Sequence, residues 1–84
     1  MELTWTPTSW EQYLNWYKND KDTFKRIMLL LEDILKHPTE GIGKPEPLKH
    51  NFAGCWSRRI DIEHRLIYQI KENQIIIIAC KYHY

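Results

Sequence analysis

The chain has 84 residues, 43% hydrophobic and 27% charged, which suits one globular domain with a thin core and excludes a disordered chain as the default. Its longest apolar runs, Ile27–Leu31 and Ile75–Cys80, fall far short of the ~20 residues of a membrane span, and Met1-Glu2-Leu3-Thr4-Trp5 lacks the basic-then-apolar pattern of a secretory signal. The formal net charge of +1 conceals an asymmetry: residues 1–42 sum to −2 and residues 43–84 to +3, so an anionic partner is expected on the C-terminal half.

Leu3-Thr4-Trp5-Thr6 alternates and predicts a short strand ended by Pro7. Thr8 followed by Glu11 has capping-box spacing, and Trp10, Tyr13, Leu14 and Tyr17 repeat at i, i+3, i+4, i+7, which predicts a helix over about 9–20 with that apolar stripe inward. Asn19-Asp20 breaks it, and Asp20 or Asp22 can cap the next helix. Phe24, Ile27, Met28, Leu31, Ile34 and Leu35 form a second stripe, and Pro38 stops a helix predicted over 22–36. Both stripes are read as core.

Pro38, Gly41, Gly43, Pro45 and Pro47 then mark a loop over 38–52, with room for one helical turn near Pro45–Lys49. A loop this long in a small domain is often functional. Three strand-like runs follow, Cys55–Ile60, Arg65–Ile70 and Ile75–Tyr82, separated by hairpin-length turns. The expected architecture is α+β, in the order β-α-α-β-β-β, with two N-terminal helices packed on one face of a mostly antiparallel sheet and the other face free.

The two cysteines, Cys55 and Cys80, sit in apolar runs and form no CxxC, so buried, reduced thiols and a cytoplasmic setting are expected, with no disulfide framework. No HxH or HxxxH pair occurs and the carboxylates are scattered, so a metal site is not expected. His37 reads as a helix C-terminal histidine, and His50 and His64 as turn residues.

Alternation puts Arg65 on the free face opposite Leu66, Tyr68 and Ile70. In the last strand Ile75, Ile77, Ala79, Lys81 and His83 share a side, and a solvated Lys81 carries His83 with it. Arg58 and Arg59 lie one strand away, and the loop can bring Glu46 and Lys49 over the rim. A carboxylate, a guanidinium and an imidazole are the groups needed to cut RNA with its own 2′-hydroxyl: a base for the hydroxyl proton, a cation for the charge on pentavalent phosphorus, an acid for the leaving 5′-oxygen. From spacing alone each residue also fits a plainer role: Glu46 a solvated loop acid, His83 a chain-end histidine, Arg65 a surface arginine, and Lys49, Arg58, Arg59 and Lys81 a charged edge that discourages sheet pairing.

Gly43-Lys44-Pro45-Glu46-Pro47-Leu48-Lys49-His50-Asn51, Gly54-Cys55-Trp56-Ser57-Arg58-Arg59-Ile60, Glu63-His64-Arg65-Leu66-Ile67-Tyr68 and the closing Cys80-Lys81-Tyr82-His83-Tyr84 follow in an order and spacing that resembles the YoeB (Txe-type) toxins of the RelE/ParE superfamily. The resemblance spans the chain and implies a RelE-like fold and a toxin of a bacterial toxin–antitoxin pair. By this resemblance it is an endoribonuclease that uses no metal or organic cofactor, cuts mRNA in the ribosomal A site and inhibits translation. It implies Glu46 as general base, His83 as general acid, Arg65 as transition-state stabiliser and Tyr84 as the terminal aromatic that orients the substrate. Lys49 and Arg59 match phosphate-contacting positions, and Arg58 and Lys81 join them as candidate RNA-binding cations. The implied partners are the ribosome and mRNA, a YefM-like antitoxin whose acidic C-terminal segment covers the basic site, and a second copy in a homodimer, with no membrane. The rivals are a ParE-like gyrase poison on the same fold and an RNA- or ribosome-binding module without chemistry.

Overall fold

The computed structural model describes residues 1–82. Eight elements follow in order: β1 (Glu2–Trp5), α1 (Pro7–Asn19), α2 (Lys21–Lys36), β2 (Glu46–Pro47), a 3-10 turn (His50–Phe52), β3 (Cys55–Arg59), β4 (Arg65–Lys71) and β5 (Gln74–Ala79). The strands form one sheet in the order β1-β5-β4-β3-β2, with β1 parallel to β5 and the other pairs antiparallel. This is the expected α+β architecture, with two differences in the stretch read as loop: the two-residue strand β2 stands where a helical turn was expected near Pro45–Lys49, and the turn forms instead at His50–Phe52. Among the described residues no helix is long and apolar enough to cross a membrane.

The start of α1 differs from the expectation. Thr6, not Thr8, is the N-cap: its Oγ1 accepts from Ser9 N–H while Ser9 Oγ accepts from Thr6 N–H, a reciprocal box in which serine takes the place of the usual Glu or Gln. Pro7 therefore opens the helix, where its missing N–H costs nothing. The buried Ser9 hydroxyl also lies 2.7 Å from the Ile77 carbonyl and ties this end of α1 to β5. Asp20 closes α1 and caps α2, accepting from Thr23 N–H and Oγ1, which holds its carboxyl below the usual carboxylate range.

Both helical stripes are rotated from their predicted positions. The face of α2 against the sheet is Ile27, Leu30, Leu31 and Ile34, whereas Met28 and Leu35 are exposed. On α1 the inward residues are Ser9, Tyr13 and Trp16, and Trp10, Leu14 and Tyr17 point outward. The physical reason is an aromatic ladder at the β1 edge. Trp5 stacks on Tyr13 at 4.5 Å, Trp10 meets Trp5 edge-on at 5.4 Å, and Tyr13 and Tyr17 both contact Phe24, so Trp5 and Tyr13 pack against the core and shelter Trp10 and Tyr17 outside it.

The main core lies between α2 and the sheet and unites that helix face with Ile60, Leu66, Tyr68, Ile75, Ile77 and Cys80. The opposite face, expected from sequence to be free, is partly covered. Cys55, Ile67 and Ala79 are buried there, with Leu48 and Phe52 from the segment before β3 packed over them. A bulge divides β5 between these two layers. Ile67 pairs with Ala79 but Tyr68 with Ile77, so Ile78 is an extra residue. Ile75 and Ile77 face the helices while Ala79 faces away, which corrects the uniform alternation assumed for this strand.

Arg58 is fully buried on the helix side. Its Nε donates to Tyr68 Oη (3.1 Å), Nη1 to the Asp33 carboxylate and the Ile42 carbonyl, and Nη2 to the carbonyls of His37 and Glu40. Tyr68 Oη donates in turn to the Pro38 carbonyl. The turn that follows α2 thus wraps a single guanidinium, which donates to the carbonyls of His37, Glu40 and Ile42. At Gly43, with φ of 80°, an added Cβ would come within 2.8 Å of Leu30 Cδ2, so only glycine lets the chain leave this turn toward β2.

Cys55 and Cys80 are both free and buried, as expected. Burial raises the Cys55 thiol and pushes Cys80 up to about 12. Because the thiolate is the reactive form, iodoacetamide at neutral pH is expected to label Cys80 of the folded protein at least about 100-fold more slowly than in urea. Peptide mass spectrometry reads the ratio, and equal rates would show the thiol to be accessible.

Candidate active site

The sheet register assembles the candidate residues. Glu46 pairs with Ser57, Ser57 with Ile67 and Ile67 with Ala79, which makes a transverse row on the face away from the helices. Two residues farther along β3, Arg59 stands directly opposite Arg65. Paired residues project to the same side, so Glu46, Ser57, Arg59 and Arg65 share one surface. Strand spacings put the Glu46 and Arg65 α-carbons about 12 Å apart, a span that long side chains can close around a single phosphodiester.

Two arginines opposite one another in a sheet repel, an arrangement that favours an anionic ligand over stability. Arg59 is exposed, its backbone N–H held by the Gly43 carbonyl at 2.7 Å. Arg65 is partly buried and partly restrained. Its Nη1 donates to the carbonyls of Asp61 (2.7 Å) and His64 (3.0 Å), while Nε and Nη2 have no partner among the described residues. One edge of the guanidinium is fixed and the other is available. Glu46 is exposed beside Pro47, and Lys49 is exposed just before the 3-10 turn.

Two of the candidate cations stand apart from this surface. Arg58 shares the helix side with Trp56 and Ile60 and spends its donors inside the protein, so it does not serve as an RNA-binding cation; strict alternation in β3 already pointed inward. Lys81 lines a groove against α1 with Thr8, Glu11, Gln12, Asn15 and Tyr82, its Nζ 5.2 Å from the Tyr82 ring. His83 and Tyr84 lie outside the described residues.

The chain reaches that end through a chain of side-chain anchors that spacing did not reveal. Gln12 Oε1 accepts from Cys80 N–H, and Trp16 Nε1 donates to the Cys80 carbonyl. Tyr82 N–H donates to His64 Nδ1 at 2.7 Å, and the Tyr82 carbonyl accepts from Arg65 N–H at 2.8 Å. His64 lies in the turn between β3 and β4, as read, and is also a buried support for the segment after β5. No sequence motif announces this, because its two partners are 18 and 48 residues away and belong to other elements.

The fold is that of a bacterial toxin. Over 100% of both chains it superposes on a YoeB/ParE toxin from Agrobacterium tumefaciens with a TM-score of 0.97 at 41% identity. Residues 5–84 match the family described as the YoeB-like toxin of bacterial type II toxin–antitoxin systems. Toxin YoeB of Escherichia coli K12 is 51% identical over all 84 residues, 100% of each chain. The Staphylococcus aureus YoeB, solved as a dimer and in a heterotetrameric YoeB–YefM complex, is 47% identical, with TM-scores of 0.93 and 0.92, covering 100% of this chain and 98% of that one. The chain belongs to the YoeB toxin family of type II toxin–antitoxin systems.

Proposed function

We propose that this toxin is a ribosome-dependent endoribonuclease that cuts mRNA in the A site by general acid–base attack of the 2′-hydroxyl, inhibiting translation. Glu46 takes the hydroxyl proton. The available edge of Arg65 meets the charge that grows on the phosphorane oxygens, a contact strongest in the transition state. His83 gives its proton to the leaving 5′-oxygen, and Tyr84 orients the nucleotide by stacking. Arg59 and Lys49 neutralise flanking phosphates. The observation that carries this reading is the shared surface of Glu46, Arg59 and Arg65, combined with the two hydrogen bonds that hold Tyr82, which precedes His83 in sequence, to β4 and the residue before it.

The same basic surface suits the acidic segment of a YefM-like antitoxin, so that message and antitoxin compete. The toxin acts as a homodimer in the cytoplasm, as a single domain of residues 1–84. The deciding experiment adds the purified protein to a cell-free translation reaction and maps message 3′ ends against ribosome position. The expected fragments end within the A-site codon and carry a 2′,3′-cyclic phosphate or its 3′-phosphate product. Translation blocked on intact message would point to binding without chemistry, and unhindered translation with inhibited gyrase to the ParE-like alternative.

A further inference from the structure

β5 leaves the ladder at Ala79, so the next residues are placed by side chains rather than by sheet pairing. Tyr82 adopts a φ of 63°, in the left-handed region that non-glycine residues visit uncommonly. Both polar groups of its backbone are taken by consecutive residues, N–H by His64 Nδ1 and C=O by Arg65 N–H. Trp16 meets the His64 ring edge-on at 4.9 Å, and His64 itself is only 9% exposed. Its backbone is pinned as firmly. Its N–H donates to Asp61 Oδ1, and its carbonyl accepts from the N–H groups of Ile60 and Asp61 and from Arg65 Nη1.

An imidazole nitrogen accepts a backbone N–H only when it is unprotonated. The Tyr82 contact therefore assigns His64 as the neutral tautomer with its proton on Nε2, where the Glu63 carboxylate lies 3.5 Å away. One histidine thereby bridges the two halves of the site: its carbonyl restrains the Arg65 guanidinium and its ring restrains the backbone that leads to His83.

We propose that His64 is a positioning residue of the toxin's nuclease site, whose Nδ1 holds the Tyr82 N–H and so sets the backbone from which the general acid follows. The inference rests on the nuclease reading above for its catalytic consequence, but not for the contact itself. Among the described residues, the Glu63 carboxylate and Tyr82 face the imidazole itself, Asp61 and Arg65 contact the His64 backbone, and Lys81 stands over the Tyr82 ring; α1 contributes the neutral Trp16.

The test compares His64→Asn, whose amide oxygen sits near the place of Nδ1, with His64→Gln, whose amide reaches toward the place of Nε2. In single-turnover cleavage of ribosome-bound message, His64→Gln is expected to be about 10–100-fold slower, the scale of a misplaced catalytic group, with half-saturation within about threefold of wild type. His64→Asn should recover to within about threefold. Independently of cleavage, long-range 15N–1H correlation spectra of the wild-type protein should show Nδ1 unprotonated. The Tyr82 amide should exchange slowly in wild type and His64→Asn but fast in His64→Gln. A protonated Nδ1 in wild type, or a His64→Gln variant that cleaves at the wild-type rate, would overturn the proposal, and the spectra decide it even if His64→Gln does not fold. A wild-type protein that binds ribosomes but never cuts would instead refute the nuclease reading, with the spectra still deciding the His64–Tyr82 contact.

Discussion

Glu46→Gln is expected to lower single-turnover cleavage of ribosome-bound mRNA by about 10²–10⁴-fold, the usual contribution of a positioned general base. Gln keeps the shape and hydrogen-bonding reach of the side chain but cannot take the 2′-hydroxyl proton. Glu46 is exposed, and its strand pairs with β3 through the backbone, so nothing in the core depends on the carboxylate. The variant should therefore keep its thermal midpoint and its ribosome affinity. A near-wild-type rate would remove Glu46 from the chemistry, and a collapsed midpoint would show that the carboxylate has a structural partner instead.

Arg58→Met is expected to do the opposite, leaving the reactive surface intact while destabilising the fold by about 3–5 kcal/mol, the cost of leaving a buried charge network without one partner. Met fills much of the volume but donates nothing to the carbonyls of His37, Glu40 and Ile42, to the Tyr68 hydroxyl or to Asp33. A chain of this length has a total stability of only about 4–13 kcal/mol, so the urea midpoint should fall by a large fraction. The network also predicts a pH dependence. The Arg58 hydrogen bond, with help from the Ile42 amide, holds the Asp33 carboxyl below its ordinary value. Its contribution is complete above the unfolded carboxylate value near ~3.9 and disappears as pH falls through the lower folded value. Wild type should therefore lose urea stability on acidification below about pH 4, and Arg58→Met should lose less over the same interval. An unchanged midpoint in the variant at pH 7 would mean that the turn after α2 finds its donors elsewhere.

The two arginines of β3 show how far local pattern carries. Arg58 and Arg59 are adjacent and chemically alike, and the charge asymmetry of the C-terminal half counts them equally. The pleat sends them to opposite faces, and Trp56 and Ile60 mark the inward one, so the distinction was available from period-two alternation although composition hid it. The stripes of α1 and α2 were right only in part, for a different reason: Tyr13, Ile27, Leu31 and Ile34 face inward as read, but their stripe neighbours Trp10, Leu14, Tyr17, Met28 and Leu35 do not. Each helix has apolar residues over more than one face, and Trp10, Leu14 and Tyr17 match helical spacing as well as Ser9, Tyr13 and Trp16 do. Periodicity gives the helix but not its rotation when aromatic rings can shelter one another at an edge. The bulge at Ile78 was equally silent, because four consecutive isoleucines offer no mark of where the register slips.

The types and order of the elements other than β2, the buried cysteines and an aspartate cap at Asp20 or Asp22 were written in the chain, since each depends on residue type and near-neighbour spacing. Tertiary structure alone decided that Glu46 lies in a paired strand, that Arg58 is an internal support, and that His64 grips the backbone of Tyr82. Those outcomes arise from contacts between segments far apart in sequence, where a side chain's role is set by whichever unsatisfied donor or acceptor the fold brings within about 3 Å.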